Sequence, residues 1–293
     1  MTQTTDLVLT LVSRDSDAGA LAARVPGATG DAYDRSGQGW SVVERRIAGG
    51  AELVGWLDAE TPEAGADWAI TSVANRRKRL LISDMDSTII GQECLDELAD
   101  FAGLKAEVSA ITERAMRGEL DFAGALIQRV AMLKGLNLSA LEACHRERVR
   151  LNPGAVELVA TMKAHGARCV LVSGGFRYFT SRVAQMAGFD ADRANTLIDD
   201  GAALTGKVGM PILGREAKLT ALKEEVAAFG GTANDALAMG DGANDLDMIR
   251  AAGLGVAYKA KPIVAAETRA RIQYTDLRAA LFFQGYSVSE IVA

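Results

Sequence analysis

Asp84 and Asp86 are two carboxylates set two residues apart in Leu81-Ile82-Ser83-Asp84-Met85-Asp86-Ser87-Thr88, where an apolar run gives way to a polar turn. The preceding Arg79-Leu80-Leu81-Ile82 is short, branched and largely apolar, the composition of a buried parallel strand. Strand side chains alternate, so residues 84 and 86 face one site while Met85 points elsewhere. Two later strand ends carry chemistry of the same kind. Ser173 and Gly174 follow Cys169-Val170-Leu171-Val172, and Gly240-Asp241-Gly242-Ala243-Asn244-Asp245 follows Ala236-Leu237-Ala238-Met239. Ligands of doubly wound folds bind at the carboxyl ends of the strands. Carboxylates crowded there repel one another and rise in pKa unless a hard cation neutralises them. Magnesium suits such a set, because it prefers oxygen ligands and keeps waters while touching phosphate. Together the three strand ends describe a magnesium-dependent phosphoryl-transfer site.

Those strands need a framework. Between the first strand and the rest of the core, runs at 93–101, 105–117, 121–134 and 139–149 combine helix formers with apolar spacing and are separated by Gly103, Gly118 and Gly135. They predict a helical-bundle cap inserted over residues 91–150. The returning segment alternates a helix over 155–165, a strand, a helix over about 215–229 and another strand, the repeated βα pattern of a parallel sheet. The expected fold is therefore α/β, a Rossmann-like parallel sheet built from residues 76–90 and 151–293. An α+β region over residues 1–75 precedes it, with strands expected at Leu7–Val12, Trp40–Val43 and Leu53–Leu57.

The 293 residues are 49% hydrophobic, ample for a packed core. A net charge of −6 and a pI near 5.2 argue against nucleic acid or an anionic membrane as partner. The one strong basic cluster, Arg76-Arg77-Lys78-Arg79, reads as a solvated linker. Cys94, Cys144 and Cys169 are odd in number and widely spaced, which suggests neither a disulfide framework nor structural zinc and fits a reduced cytoplasm. The first residues do not read as a secretory leader, and no uncharged apolar run is long enough to span a bilayer. His145 and His165 read as ordinary helix residues. The apolar stretch Leu281-Phe282-Phe283-Gln284-Gly285-Tyr286 is expected to pack on the core or against a second subunit in a homodimer.

In this order, Asp84-Met85-Asp86-Ser87-Thr88, Ser173-Gly174-Gly175, Lys218 and Gly240-Asp241-Gly242-Ala243-Asn244-Asp245 resemble the motifs of the haloacid-dehalogenase superfamily and, within it, the phosphoserine phosphatases. The resemblance covers residues 79–293, including the cap spacing. It implies that Asp84 attacks phosphorus and becomes an aspartyl-phosphate. Asp86 would protonate the departing oxygen and later take a proton from the hydrolytic water. By the same resemblance, magnesium is held by Asp84, the backbone carbonyl of Asp86 and Asp241, with Asp245 supporting them from behind. Ser173 and the Gly174 amide would face the phosphate oxygens, Lys218 would add a compact cation, and Asn244 would lie beside nucleophile and phosphate.

Glu93 and Arg129 carry the expectation about substrate. Taken alone, Glu93 is an acid at a helix N-terminus and Arg129 an ion pair within the cap. Phe122, Ala125 and Arg129 fall at i, i+3 and i+7 of one predicted helix, which puts the guanidinium on the same face as a ring. The resemblance implies that Arg129 grips the carboxylate of O-phosphoserine and Glu93 its ammonium, with Met116 and Phe122 lining the cap, in the last step of serine biosynthesis. Two rivals share the phospho-aspartate: a phosphatase or phosphotransferase acting on a related phosphomonoester, and a signalling switch. The N-terminal region resembles small amino-acid-binding domains attached to some relatives, which implies serine-responsive regulation or a dimer contact.

Overall fold

The computed structural model describes residues 6–292 apart from 15, 50, 117 and 118. The chain opens with β1 (Leu7–Ser13), α1 (Ala18–Ala22), β2 (Ala28–Asp34), β3 (Ser41–Ile47), α2 (Ala51–Ala64) and β4 (Asp67–Ser72). Then come β5 (Leu80–Ser83) and four helices, α3 (Cys94–Phe101), α4 (Lys105–Met116), α5 (Phe122–Met132) and α6 (Leu138–Arg148). The core resumes with α7 (Ala155–Ala164), β6 (Arg168–Phe176), α8 (Arg177–Ala187), β7 (Ala191–Asn195), β8 (Leu197–Asp199), β9 (Leu204–Val208) and α9 (Arg215–Ala228). It finishes with β10 (Ala236–Gly240), α10 (Leu246–Ala251), β11 (Leu254–Tyr258), α11 (Pro262–Ala265), β12 (Ala270–Ile272) and α12 (Ala279–Phe283).

Ten strands form one sheet in the order β2-β3-β1-β4-β12-β11-β10-β5-β6-β7. From β12 to β7 the neighbours run parallel. β5 lies at the centre, with β6 on one side and β10 on the other, so the chain leaves β5 in one direction and later returns on its opposite flank. This is the topological switch point at which α/β sheets open a crevice. Leu80, Leu81 and Ile82 are fully buried, as both faces of a central parallel strand require.

The N-terminal strands pair antiparallel among themselves, and β4 then pairs antiparallel with β12, so the sheet runs on without a break. Val12, Trp40, Val42 and Ala69 belong to the same buried cluster as Phe282, Phe283 and Tyr286. Trp40 meets Phe282 edge to face at 5.0 Å. The apolar stretch at 281–286 is thus consumed within the chain, and its burial leaves it no surface to offer a second subunit.

Two expectations are corrected here. Leu53–Leu57 is not a strand but part of α2; Leu53 and Leu57 stand at i and i+4 and bury the same helix face. The run Arg76–Arg79 is solvated only at Arg77 and Arg79. The sheet is continuous across it, and Arg76 and Lys78 turn into the seam while Arg77 and Arg79 stay exposed. Arg76 bonds Glu44 at 2.9 Å and Thr10 Oγ1 at 3.0 Å, and Lys78 donates to the carbonyls of Asn75 and Asn234 at 2.7 and 2.8 Å. Arg77 pairs with Glu290 at 2.6 Å.

The inserted cap consists of the four expected helices. Its connection from α5 to α6 is fastened to the β8–β9 hairpin by Gly135 N–H to Leu204 O, Leu204 N–H to Leu136 O and Leu138 N–H to Ala202 O, all within 3.0 Å. Cys94, Cys144 and Cys169 are buried free thiols. Among the described residues no helix is long and apolar enough to cross a membrane.

Candidate active site

Asp84 stands immediately beyond β5, and its N–H donates to Met239 O of β10 at 3.0 Å. Met85 is fully buried beneath it, while Asp86 returns to the surface of the crevice. The period-two alternation therefore does what the sequence demanded. Asp84 Oδ1 accepts from the Met85 N–H at 2.8 Å and from Lys218 Nζ at 2.7 Å. Lys218, on α9, also bonds Asp245 Oδ1 at 2.6 Å. Asp245 Oδ2 accepts the Gly242 N–H at 3.0 Å, which closes the turn after β10. A Cβ at Gly240 would stand 2.3 Å from Asp245 Cγ, so only glycine leaves room for that buried carboxylate.

Carboxylate oxygens of Asp84, Asp241 and Asp245 lie within 4.8 Å of one another. Burial, then the neighbouring Asp245, pushes the Asp84 carboxyl well above its usual pKa, against the pull of Lys218. Burial also works against the Lys218 charge, but Asp84 and Asp245 outweigh it and hold the ammonium above the ordinary lysine value. One buried cation thus serves several acids. The donor set is all oxygen and over-negative, which fits a hard divalent ion such as magnesium.

The Ser173–Gly175 segment corrects the strand-to-turn expectation in one respect. It stays within β6, whose pairing with β7 becomes irregular between Val172 and Phe176, and α8 begins only at Arg177. Asn195 pins this segment by donating to Gly174 O at 2.8 Å and to Leu213 O at 3.1 Å. Ser173 Oγ accepts the Gly175 N–H at 2.8 Å. A Cβ at Gly175 would lie 3.1 Å from Asp86 Oδ2, and one at Gly174 would meet the Phe122 ring at 3.0 Å. The two glycines let the acid and the cap ring approach the backbone.

A cavity of about 130 Å³ brings the pieces together. Asp84, Asp86, Ser173, Gly174, Asp241 and Asn244 line it from the sheet side. Glu93, Phe122 and Arg129 line it from the cap. Lys218 and Asp245 lie beneath, reaching it through Asp84. Glu93 is the residue before α3, but its side chain does not cap the helix; Ser87 Oγ donates to it at 2.7 Å instead. The Met116 side chain lies outside the described residues. Lys261, ahead of α11, was not among the expected residues. Its N–H donates to Asp241 O at 3.0 Å, its Nζ stands 3.6 Å from the Asp241 carboxylate, and it lines the cavity. Asn195 was missed as well. Neither belongs to a recognisable motif, and only their positions, Lys261 just beyond the end of β11 and Asn195 as the last residue of β7, could have pointed to them.

Asp86 has its own electrostatic setting. Burial first, and the negative charge of Glu93 second, raise its pKa to about 7. Burial raises Glu93 and lowers Arg129 from their usual values. The site therefore presents a carboxylate in contact with an ammonium, a carboxyl with a pKa of about 7, and an acid and a guanidinium on the cap side.

A central parallel sheet with acids at its switch point and a helical cap over them defines a phosphoryl-transfer hydrolase. The chain belongs to the haloacid dehalogenase-like hydrolase family, whose model matches residues 81–250. It is 50% identical over 191 residues to the phosphoserine phosphatase of Polaromonas sp., covering 64% of this chain and 81% of that one. Its structure is similar to a probable phosphoserine phosphatase from Vibrio cholerae, with a TM-score of 0.77, 29% identity and coverage of 99% and 90% of the two chains. It is also similar to a phosphoserine phosphatase holding a phospho-aspartyl intermediate analogue, with a TM-score of 0.65, 37% identity and coverage of 71% and 99%.

Proposed function

We propose that this enzyme hydrolyses O-phospho-L-serine to L-serine and phosphate through an aspartyl-phosphate on Asp84, in the cytoplasm, as the serine-releasing step of biosynthesis. The observation that carries the reading is the meeting of Glu93 and Arg129 with the Asp84–Asp86 pair in one cavity of about 130 Å³. Phosphoserine bears an ammonium and a carboxylate besides its phosphate, and a cavity of this size brings opposite charges to both.

Asp84 Oδ1 is occupied by the Met85 N–H and Lys218, so Oδ2 is the oxygen directed to phosphorus. Ser173 Oγ and the Gly174 amide receive the phosphoryl oxygens, and Lys218 stabilises the carboxylate and the charge gathering beside it. Asp86, with a pKa of about 7, gives its proton to the departing serine oxygen and then takes one from the attacking water. Arg129 and Glu93 hold the amino-acid end, and Phe122 over Gly174 screens the reacting atoms from bulk water. Magnesium held by Asp84, the Asp86 carbonyl and Asp241, with Asp245 behind, supplies the positive charge that lets a carboxylate approach a phosphate dianion.

The test is phosphate release from O-phospho-L-serine and from 4-nitrophenyl phosphate by wild type, Glu93→Gln and Arg129→Ala. Phosphoserine kcat/KM is expected to fall at least 30-fold in each variant, and the aryl phosphate value by less than about threefold. Equal losses on both substrates remove the recognition roles. A wild type inert toward phosphoserine removes the substrate.

A further inference from the structure

We infer that Asn195 is a positioning residue for the phosphoryl-binding edge of the site: its side-chain amide ties the Ser173–Gly175 segment to the start of α9 and so fixes where the phosphate donors stand. The inference rests on the roles proposed for Ser173 and the Gly174 amide and adds the residue that holds them.

Asn195 is the last residue of β7 and is 2% exposed. Its Nδ2 donates to Gly174 O at 2.8 Å and to Leu213 O at 3.1 Å, while its Oδ1 accepts the Leu213 N–H at 2.7 Å. A primary amide offers two donor hydrogens and one carbonyl, and all three are engaged here with main chain. Those main-chain groups lie where regular structure breaks. The β6–β7 pairing is irregular between Val172 and Phe176, and Leu213 stands just before Gly214, the N-cap of α9. Thr196, next to Asn195, accepts the Gly209 N–H at 2.8 Å, so the stretch from 209 to 213 is fastened at both ends. Leaving any of these buried groups unmet costs more than the bond itself gains, which makes the clamp stiff.

The clamp joins two pieces that act on one phosphate. One is Ser173–Gly175. The other is α9, whose first turn carries Lys218, 2.7 Å from Asp84. The cap ring Phe122 sits against both pieces: a Cβ at Gly174 would meet it at 3.0 Å and one at Gly214 at 3.3 Å. Without the Asn195 amide the Gly174 carbonyl loses its anchor, and the adjoining Gly174 N–H loses its aim. The loss falls on the phosphoryl group that every substrate shares. It spares the amino-acid end, and it spares Asp84 and Asp241, which follow β5 and β10.

Asn195→Leu keeps the volume and removes every hydrogen bond; Asn195→Asp keeps the shape and the acceptor for Leu213 but removes the amide donors. In the full-length enzyme with saturating magnesium, each is expected to lower kcat/KM about 30-fold on both phosphoserine and 4-nitrophenyl phosphate, the two losses agreeing within about threefold. Calorimetric titration with inorganic phosphate should give a Kd raised about tenfold, while the Kd for magnesium alone stays within about twofold of wild type. A merely structural asparagine would lower the melting temperature and leave phosphate affinity, read well below that temperature, unchanged.

A folded variant that binds phosphate within about twofold of wild type overturns the inference. So does a loss confined to phosphoserine, or a loss of magnesium affinity as large as the loss of phosphate affinity. Where neither variant folds, the decision passes to the Asn195 side-chain amide signal of the wild type in nuclear magnetic resonance. That signal should move when phosphate is added to the magnesium-loaded enzyme and hold still with magnesium alone; a signal that phosphate does not move overturns the inference as well. A wrong substrate shows separately, as a wild type inert toward phosphoserine, because binding of inorganic phosphate needs no ester.

Discussion

Replacing Asp84, the proposed nucleophile, should abolish activity without weakening the metal-free protein, the reverse of what losing a buried hydrogen-bonded residue usually does. Asp84 lies within 4.8 Å of the carboxylate oxygens of both Asp241 and Asp245 and 2.7 Å from Lys218. At an effective dielectric of about 20, each neighbouring acid repels an ionised Asp84 by roughly 3.5 kcal/mol and Lys218 attracts it by roughly 6 kcal/mol. The charges nearly cancel, and what remains is the cost of burying the carboxylate, on the order of several kcal/mol. Asp84→Asn keeps the Oδ1 acceptor for the Met85 N–H and Lys218 while removing that cost. In a chelator at pH 7.5 its melting temperature should equal or exceed that of wild type by up to about 8 °C, taking ~2 kcal/mol of relief at 2–4 °C per kcal/mol. Magnesium at 100 times its Kd should stabilise wild type by about 2.7 kcal/mol, whereas the variant, short of one ligand charge, should gain less than half of that. Differential scanning calorimetry with and without magnesium reads both quantities, and phosphate release reads the loss of turnover. A chelator-treated Asp84→Asn protein that melts more than about 5 °C below wild type would refute the claim that the acids are over-crowded.

Lys218→Met removes the one ammonium bonded to Asp84 and Asp245; it should cost about 3–5 kcal/mol in the absence of metal, the penalty for stranding buried charge. Magnesium should recover part of that in a chemical-denaturation assay, and a variant as stable as wild type without metal would contradict the electrostatic account. Glu290 is held at a pKa of about 2; burial opposes the ionised form, but the Ser287 N–H, Arg77 and the Ser287 hydroxyl outweigh it. Because the folded pKa lies below the ordinary glutamate value of 4.5, its contribution is complete above pH 4.5 and is lost as pH falls toward 2. Glu290→Gln should therefore be about 1–2 kcal/mol less stable than wild type at pH 7, after allowance for solvent screening, with the gap below half that size at pH 3. A gap independent of pH would count against the assignment. Deleting residues 1–75 should give insoluble or unfolded protein, since it strips β4 from β12 and uncovers the apolar surface packed on Trp40 and Val42. A soluble, active fragment with an unchanged melting temperature would show that the core closes without that region.

The legible part of this molecule is the part written locally. Asp84 and Asp86 could be placed on one face because strands alternate, and the Gly240–Asp245 turn because it follows the apolar run 236–239. The four cap helices could be read from apolar spacing broken at glycines. What escaped depends on pairing between distant segments. Leu53–Leu57 contains too few residues to separate period two from i, i+4, and the buried face of α2 decided it. The Arg76–Arg79 run looks solvated until β4 and β12 join, after which Arg76 lies against Glu44 and Lys78 against the Asn234 carbonyl. Lys261 and Asn195 reach the site from strand ends that carry no motif, so nothing local marks them.

Asp84 and Asp86, the two carboxylates of the proposed mechanism, are kept distinct by their partners rather than by their own chemistry. Asp84 is buried and Asp86 partly so, and desolvation raises both. Asp84 is tied to Lys218 and shares its oxygen-lined space with Asp241 and Asp245, so its ionised form is restored wherever a divalent cation joins them, as a nucleophile requires. Among the described residues Asp86 makes no hydrogen bond to a cation; it faces the negative Glu93 and accepts the Cys94 N–H at 3.3 Å. It stays near pH 7, where either protonation state is within reach. Exchanging those surroundings would exchange the roles, which is why a charge-deleting change at Lys218 should disturb attack more than proton transfer.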